Sequence, residues 1–295
     1  MNLKRGAKIL ALNTVSSSQG SNPRLAGSML RLLRLDYGPI SQGQPGERKA
    51  PAVACMSVDF DVTVPSRFEN NRKGALALSE LAARYKIPIT WAVCGASAEA
   101  DMSSYSAIAN SRDNEIGVHT YSHLDATLAS PDQFRHDIER CMNVLGLEHP
   151  KTFVFPWNRE GHFDVLRSLG FRVFRGKARA LGDPVLKEGL WNVRPVYYVD
   201  QKSRGAESLM KKYVDLCIDF NTPFHLWTHP WSLVIEDKTE PMIETLESLF
   251  AYIAEKREQR ALTTSTLGEM AGSLDLAVAA KGEHGSVIQA SRIAN

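Results

Sequence analysis

Apolar and polar positions along this chain follow two periods. Short apolar runs read as strands: VACMSVDF (53–60), ITWAVCG (89–95), EIGVHT (115–120), TFVFPW (152–157), FRVFRG (171–176), LWNVRPVYYV (190–199) and PFHLWTH (223–229). Between the first two, Ala75, Leu78, Leu81, Ala82 and Tyr85 recur at helical spacing and predict a helix over 70–85. The same period predicts helices over 162–169, 205–219 and 241–258. Another helix carries its own punctuation. Ser130 caps it, Pro131 takes its first position, and Gln133 closes a capping box. Phe134, Ile138, Cys141, Met142 and Leu145 form its apolar face, and Gly146 ends it. Strands alternating with helices predict a mainly parallel sheet covered by helices, and seven or so repeats are enough to close a barrel.

The pattern fades at both ends. Residues 1–50 are rich in Ser, Gly, Gln and Arg, and read as an N-terminal extension. Within it, LAGSMLRLLRL (25–35) is a short basic amphipathic stretch, suited to docking on the body or to peripheral contact with an anionic membrane. A body over 51–272 is expected to fold without the extension. Residues 273–295 read as a loosely packed tail.

Composition narrows the class. Of 295 residues 43% are hydrophobic, enough for a core and too many for a disordered chain. A formal net charge of +2 offers no basic stripe, so nucleic acid is not an expected partner. Cys55, Cys94, Cys141 and Cys217 form no CxxC pair and read as buried thiols. No apolar run reaches ~18 residues, so no membrane span is expected. The start, MNLKRGAKILALNTV, is basic and then apolar, but Asn13 interrupts the run. A cytoplasmic protein is the reading, with secretion the alternative.

The chemistry lies at strand ends. In SVDFDV, Asp59 and Asp61 point to one face, roughly 6–7 Å apart along the strand. Two such carboxylates are costly unless a metal ion or a shared task compensates them. In GVHTYSH, His119 and His123 are four residues apart just past a strand, a spacing that can aim two imidazoles at one divalent ion. FVFPWNREGH runs from a strand into Pro156, Trp157, Asn158 and Arg159. It suits a sugar-facing loop, or equally a plain connection with Trp157 as packing. In HLWTHPW, His225, Trp227 and His229 share one strand face, and His229 at the strand end is a candidate general acid.

In order and spacing these patches resemble the polysaccharide deacetylases, also called carbohydrate esterase family 4 or NodB-homology proteins, over roughly residues 51–272. SVDFDV is similar to that family's first motif, HTYSH to its H-[ST]-x-x-H motif, FVFPWN to its third and LWTH to its fifth. The resemblance implies a distorted (β/α) barrel of about seven parallel strands with outer helices. It implies Asp59 as general base, Asp61, His119 and His123 as metal ligands, and His229 as general acid. Pro156, Trp157, Asn158, Arg159, Trp191, His225 and Trp227 would line the substrate groove, Trp191 as the remnant of a fourth motif. The family's third motif carries an Arg that braces the base, and Val154 stands there instead. Arg175 ends a strand and is favoured as the replacement, with Arg159 next.

The resemblance implies a metal-dependent hydrolase that removes an N-acetyl or N-formyl group from an amino sugar. The substrate would be a nucleotide- or lipid-linked precursor of a surface polysaccharide or lipopolysaccharide. Two nitrogens and one oxygen favour Zn²⁺, with Co²⁺, Ni²⁺ or Mn²⁺ as alternatives. A non-sugar amide hydrolase and a non-catalytic carbohydrate-binding protein on the same scaffold remain the other readings, and a membrane-bound partner protein acting through 25–35 is the last.

Overall fold

Strand β1 (Ala52–Phe60) is buried along almost its whole length, as a parallel strand covered on both faces must be. It lies inside a ten-stranded sheet of a computed structural model that describes residues 51–61, 64–176 and 180–279, with the backbone of Asp36–Tyr37. The remaining strands are β2 (Ile89–Val93), β3 (Glu115–Val118), β4 (Thr152–Val154), β5 (Val173–Arg175), β6 (Val185–Lys187), β7 (Leu190–Asn192), β8 (Tyr197–Val199), β9 (Phe224–Thr228) and β10 (Leu262–Thr264). Their order is β8-β9-β1-β2-β3-β4-β5-β7-β6, with β10 beside the start of β1. Every pairing in this sheet is parallel except β6 with β7. The helices are α1 (Phe68–Tyr85), α2 (Gly95–Ala100), α3 (Met102–Ala109), α4 (Pro131–Leu145), α5 (Phe163–Ser168), α6 (Glu207–Phe220) and α7 (Glu240–Glu258). A further helical run covers 267–279.

The expected fold class holds: a curled, mostly parallel α/β sheet with outer helices. The sheet has three strands more than the expected seven: β6 and β10 lie outside the runs read from the sequence, and one run is divided. The single run read at 190–199 is two strands, because Pro195 has no N–H to give a ladder. Those two halves pair at opposite ends of the sheet, β7 with β5 and β8 with β9. The four residues between them therefore form a seam. Val193 N–H donates to the Phe174 carbonyl, and Val196 N–H donates to the His225 carbonyl at 2.7 Å. Here the chain crosses from one end of the curled sheet to the other without a continuous strand pair.

Helix α4 carries the capping box read from the sequence, with Gln133 N–H on the Ser130 hydroxyl and Gly146 left-handed at the end. Helix α1 packs against the 3₁₀ turn Pro230–Leu233 so closely that a Cβ on Gly74 would stand 2.0 Å from the Pro230 carbonyl oxygen. The four cysteines are free and buried. Among the described residues no helix is long and apolar enough to cross a membrane. The 25–35 stretch lies outside the described residues. At the other end the 267–279 helix runs past residue 272, and its Asp275 pairs with Arg172.

Candidate active site

In a parallel sheet the carboxyl ends of all strands reach one edge, and the side chains just beyond them converge there. His119 follows β3 directly. The loop after it needs two left-handed residues, Thr120 (φ 60) and His123 (φ 58). Asp137 of α4 holds that loop in shape, accepting the N–H groups of Tyr121 and Ser122 and the Ser122 hydroxyl. His119 Nδ1 lies 2.8 Å from the Val154 carbonyl, which can only accept, so Nδ1 carries the proton. Its Nε2 is then a lone-pair nitrogen, buried and without a partner. Burial holds the His119 pKa down to about 4 and lowers that of His123, so both rings are neutral at pH 7.

One ligand atom each from Asp61, His119 and His123 lies within 4.8 Å of the others. His123 Nε2 is 3.6 Å from Asp61 Oδ2. Burial opposes the Asp61 charge, but the neighbouring His229 and the other two histidines hold its pKa at about 2. An orphaned buried imidazole nitrogen, a second neutral imidazole and an ionised carboxylate are a donor set that fits a divalent metal.

Beside this set, Asp59 is 3% exposed and is gripped by Arg175 in a two-pronged pair, Nη1 to Oδ1 at 2.8 Å and Nη2 to Oδ2 at 2.5 Å. Burial pushes the Asp59 carboxyl up. The Arg175 guanidinium, helped by His119 and His229, outweighs that and holds it below the usual carboxylate range. Arg175 Nη1 also donates to Ser57 Oγ at 3.2 Å. Ser57 Oγ lies 2.8 Å from His225 Nε2, and His225 Nδ1 lies 3.1 Å from the Val193 carbonyl. The carbonyl must accept, so His225 keeps its proton on Nδ1 and Ser57 donates to Nε2. Burial, with Arg175 nearby, takes the His225 pKa to about 3. Arg175 further rests on the Trp227 ring, 4.3 Å from its centroid.

His229 Nε2 lies 3.4 Å from Asp61 Oδ2 and 3.7 Å from Asp59 Oδ2. Burial works against its charge. The bond to Asp61 and the charge of Asp59 prevail and raise its pKa above the ordinary histidine value. The Tyr198 hydroxyl, 3.1 Å from Nδ1, fixes the other side of the ring.

These groups line a cleft of about 460 Å³ whose walls are Trp157, Phe155, Trp227 and Trp231, with Asn158, Val64 and Arg67 at its rim. Trp157 is left-handed (φ 58), 66% exposed, and edge-on to His123 at 4.7 Å. Not every residue expected in the groove is there. Pro156 is buried at the start of the 3₁₀ turn that presents Trp157. Arg159 turns away to a 2.5 Å pair with Asp125. Trp191 packs in a separate apolar cluster, and its indole N–H donates to Asp275. His225 does share a strand face with His229, but it sits fully buried beneath Arg175 at the seam. Strand alternation gives the face of a side chain and not its depth. The reading from sequence missed Ser57, Val64, Arg67, Asp137 and Tyr198. Of these only Ser57 carried a signal, two residues before Asp59 on the same strand face.

Comparison with known proteins bears on the fold and the family likeness of this chain. The polysaccharide deacetylase family model matches residues 59–173. No curated protein matches significantly. Among solved structures, a polysaccharide deacetylase of Mycobacterium smegmatis superposes with a TM-score of 0.62 at 17% identity, over 82% of this chain and 95% of its own. A Bacillus anthracis family 4 pseudoenzyme, BA3943, gives 0.49 at 13% identity, over 81% and 71%. The family 4 carbohydrate esterase of Streptomyces lividans, solved with acetate, gives 0.45 at 16% identity, over 73% and 93%. The matching segment runs from Asp59 through both histidines to Val173, and over that segment this chain is similar to the polysaccharide deacetylase family.

Proposed function

We propose that this protein hydrolyses the amide of an N-acetyl or N-formyl amino sugar, with Asp61, His119 and His123 holding a divalent ion, Zn²⁺ by donor type. The observation that carries this is one juxtaposition. A buried, ionised Asp59 and a His229 with a raised pKa flank the Asp61–His119–His123 set at the floor of a tryptophan-walled cleft. The ion, when bound, would polarise the acyl oxygen and acidify a water. Asp59, aimed and kept charged by Arg175, accepts the proton of the attacking water. The water oxygen joins the acyl carbon, the carbon–nitrogen bond breaks, and His229 delivers its proton to the leaving amine. Tyr198 holds His229 for that delivery. Trp157, Trp227 and Trp231 offer flat apolar faces to the sugar ring. We take the substrate to be a precursor of a surface polysaccharide or lipopolysaccharide, handled as a single sugar unit.

The test is acyl release from N-acetyl and N-formyl amino sugars by zinc-loaded protein. Asp59→Asn should lose about 10²–10⁴ in kcat while its metal content stays at one ion per chain. A loss below tenfold, or no acyl release by the parent protein from any of these sugars, overturns the proposal.

A further inference from the structure

Four formal charges line the cleft: Asp59, Asp61, Arg67 and Arg175. Asp59 and Arg175 neutralise each other in a buried two-pronged pair. Asp61 faces the histidines. Arg67 is left over. Among the described residues no carboxylate pairs with it, and its guanidinium lies 4.5 Å from the centroid of the Trp231 ring. The other side of that link is close by, because the Trp231 indole N–H points to Asp61 Oδ1 at 3.4 Å. A cation is thus propped on an aromatic shelf one indole away from the proposed ligand set. The short 3₁₀ turn Pro65–Arg67 places it there, with Pro65 fixing its first φ.

A neutral sugar gives this guanidinium nothing to answer. A divalent ion on Asp61, His119 and His123 would make the cleft more positive still. We propose that Arg67 selects substrates carrying an anionic group, a phosphate or a carboxylate, within about one sugar ring of the acylated nitrogen. A planar guanidinium held by stacking matches either group with two parallel N–H donors. This rests on the amino-sugar reading above and adds the charge of the substrate to it.

Binding and turnover separate the two ideas. Zinc-loaded Asp59→Asn protein is titrated by tryptophan fluorescence with N-acetylglucosamine, its 1-phosphate and the corresponding uronic acid. At least one anionic sugar should bind ten times tighter than the neutral one, and added salt should erode that advantage. Arg67→Gln in the same background should bring the ratio to within about twofold of unity, and Arg67→Lys should keep part of it. The exposed Arg84→Ala, at the far end of α1, should leave the ratio intact. The larger ratio, phosphate or carboxylate, identifies the anion. Equal affinities for all three sugars, or a preference that survives Arg67→Gln, overturn the inference. Arg67-dependent anion binding without acyl release by the wild type keeps this inference and sinks the hydrolase. Equal acyl release from all three sugars, unaffected by Arg67→Gln, does the reverse.

Discussion

Arg175 and Val154 are direct register partners on neighbouring strands, Val154 at the place where the family's bracing Arg would stand. The guanidinium reaches Asp59 from β5, one strand further along the sheet than Val154. Removing it leaves a buried carboxylate alone. Arg175→Ala should cost about 3–5 kcal/mol in urea melts of metal-free protein at pH 7. The sign with pH follows from Asp59. Its carboxyl is held low in the folded wild type, so the pair's contribution is present above the unfolded value of about 3.9 and fades as pH falls through the folded one. In the variant only burial acts and raises the carboxyl, so the gap between the two proteins should narrow towards pH 4. A gap unchanged with pH would show that Asp59 is not the group left unpaired. At this scale the sequence was most legible where partners are neighbours in the chain: the paired histidines and the paired aspartates each announce themselves within five residues. Arg67 and Tyr198 meet the site only through folding, and no local pattern marks them.

Elements were legible in proportion to their punctuation. Helix α4, with cap, proline and terminal glycine, matches its expected limits. Helices α2 and α3 went unread because GASAEA and MSSYSAIA are short runs of small residues with no broad apolar stripe. The closing helix did carry a signal, TLGE, which forms a reciprocal cap between Thr266 and Glu269. Gly74 of α1 packs closely against the Pro230 carbonyl, and that turn is capped by His229 and carries Trp231. Backbone cannot swing aside as a side chain can. Gly74→Ala should therefore destabilise by about 1–3 kcal/mol despite alanine's better helix propensity, as a denaturant midpoint would show. A stabilised variant would mean that the turn moves freely.

For the whole molecule, the proposed ion is tied to β1 by Asp61 and to the loop after β3 by both histidines. A ligand that binds only the folded state adds about 2.7 kcal/mol at a hundred times its dissociation constant. Zinc at that excess should raise the melting temperature by several degrees, a chelator should reverse the gain, and His119→Ala should show neither shift. A zinc response that persists in His119→Ala would place the ion elsewhere. The sheet that sets up this site also hides all four thiols, at Cys55, Cys94, Cys141 and Cys217, with burial raising each pKa. The native protein should accordingly be silent to thiol reagents, and each cysteine should react only when its own part of the structure opens. Cys94 hydrogen-bonds the His119 carbonyl, whereas Cys217 sits on α6 beside the Pro223 carbonyl. Timed alkylation read by mass spectrometry then becomes a clock with separate hands. Zinc should slow the Cys94 hand more than the Cys217 hand, and equal slowing would mean that the molecule opens only as a whole.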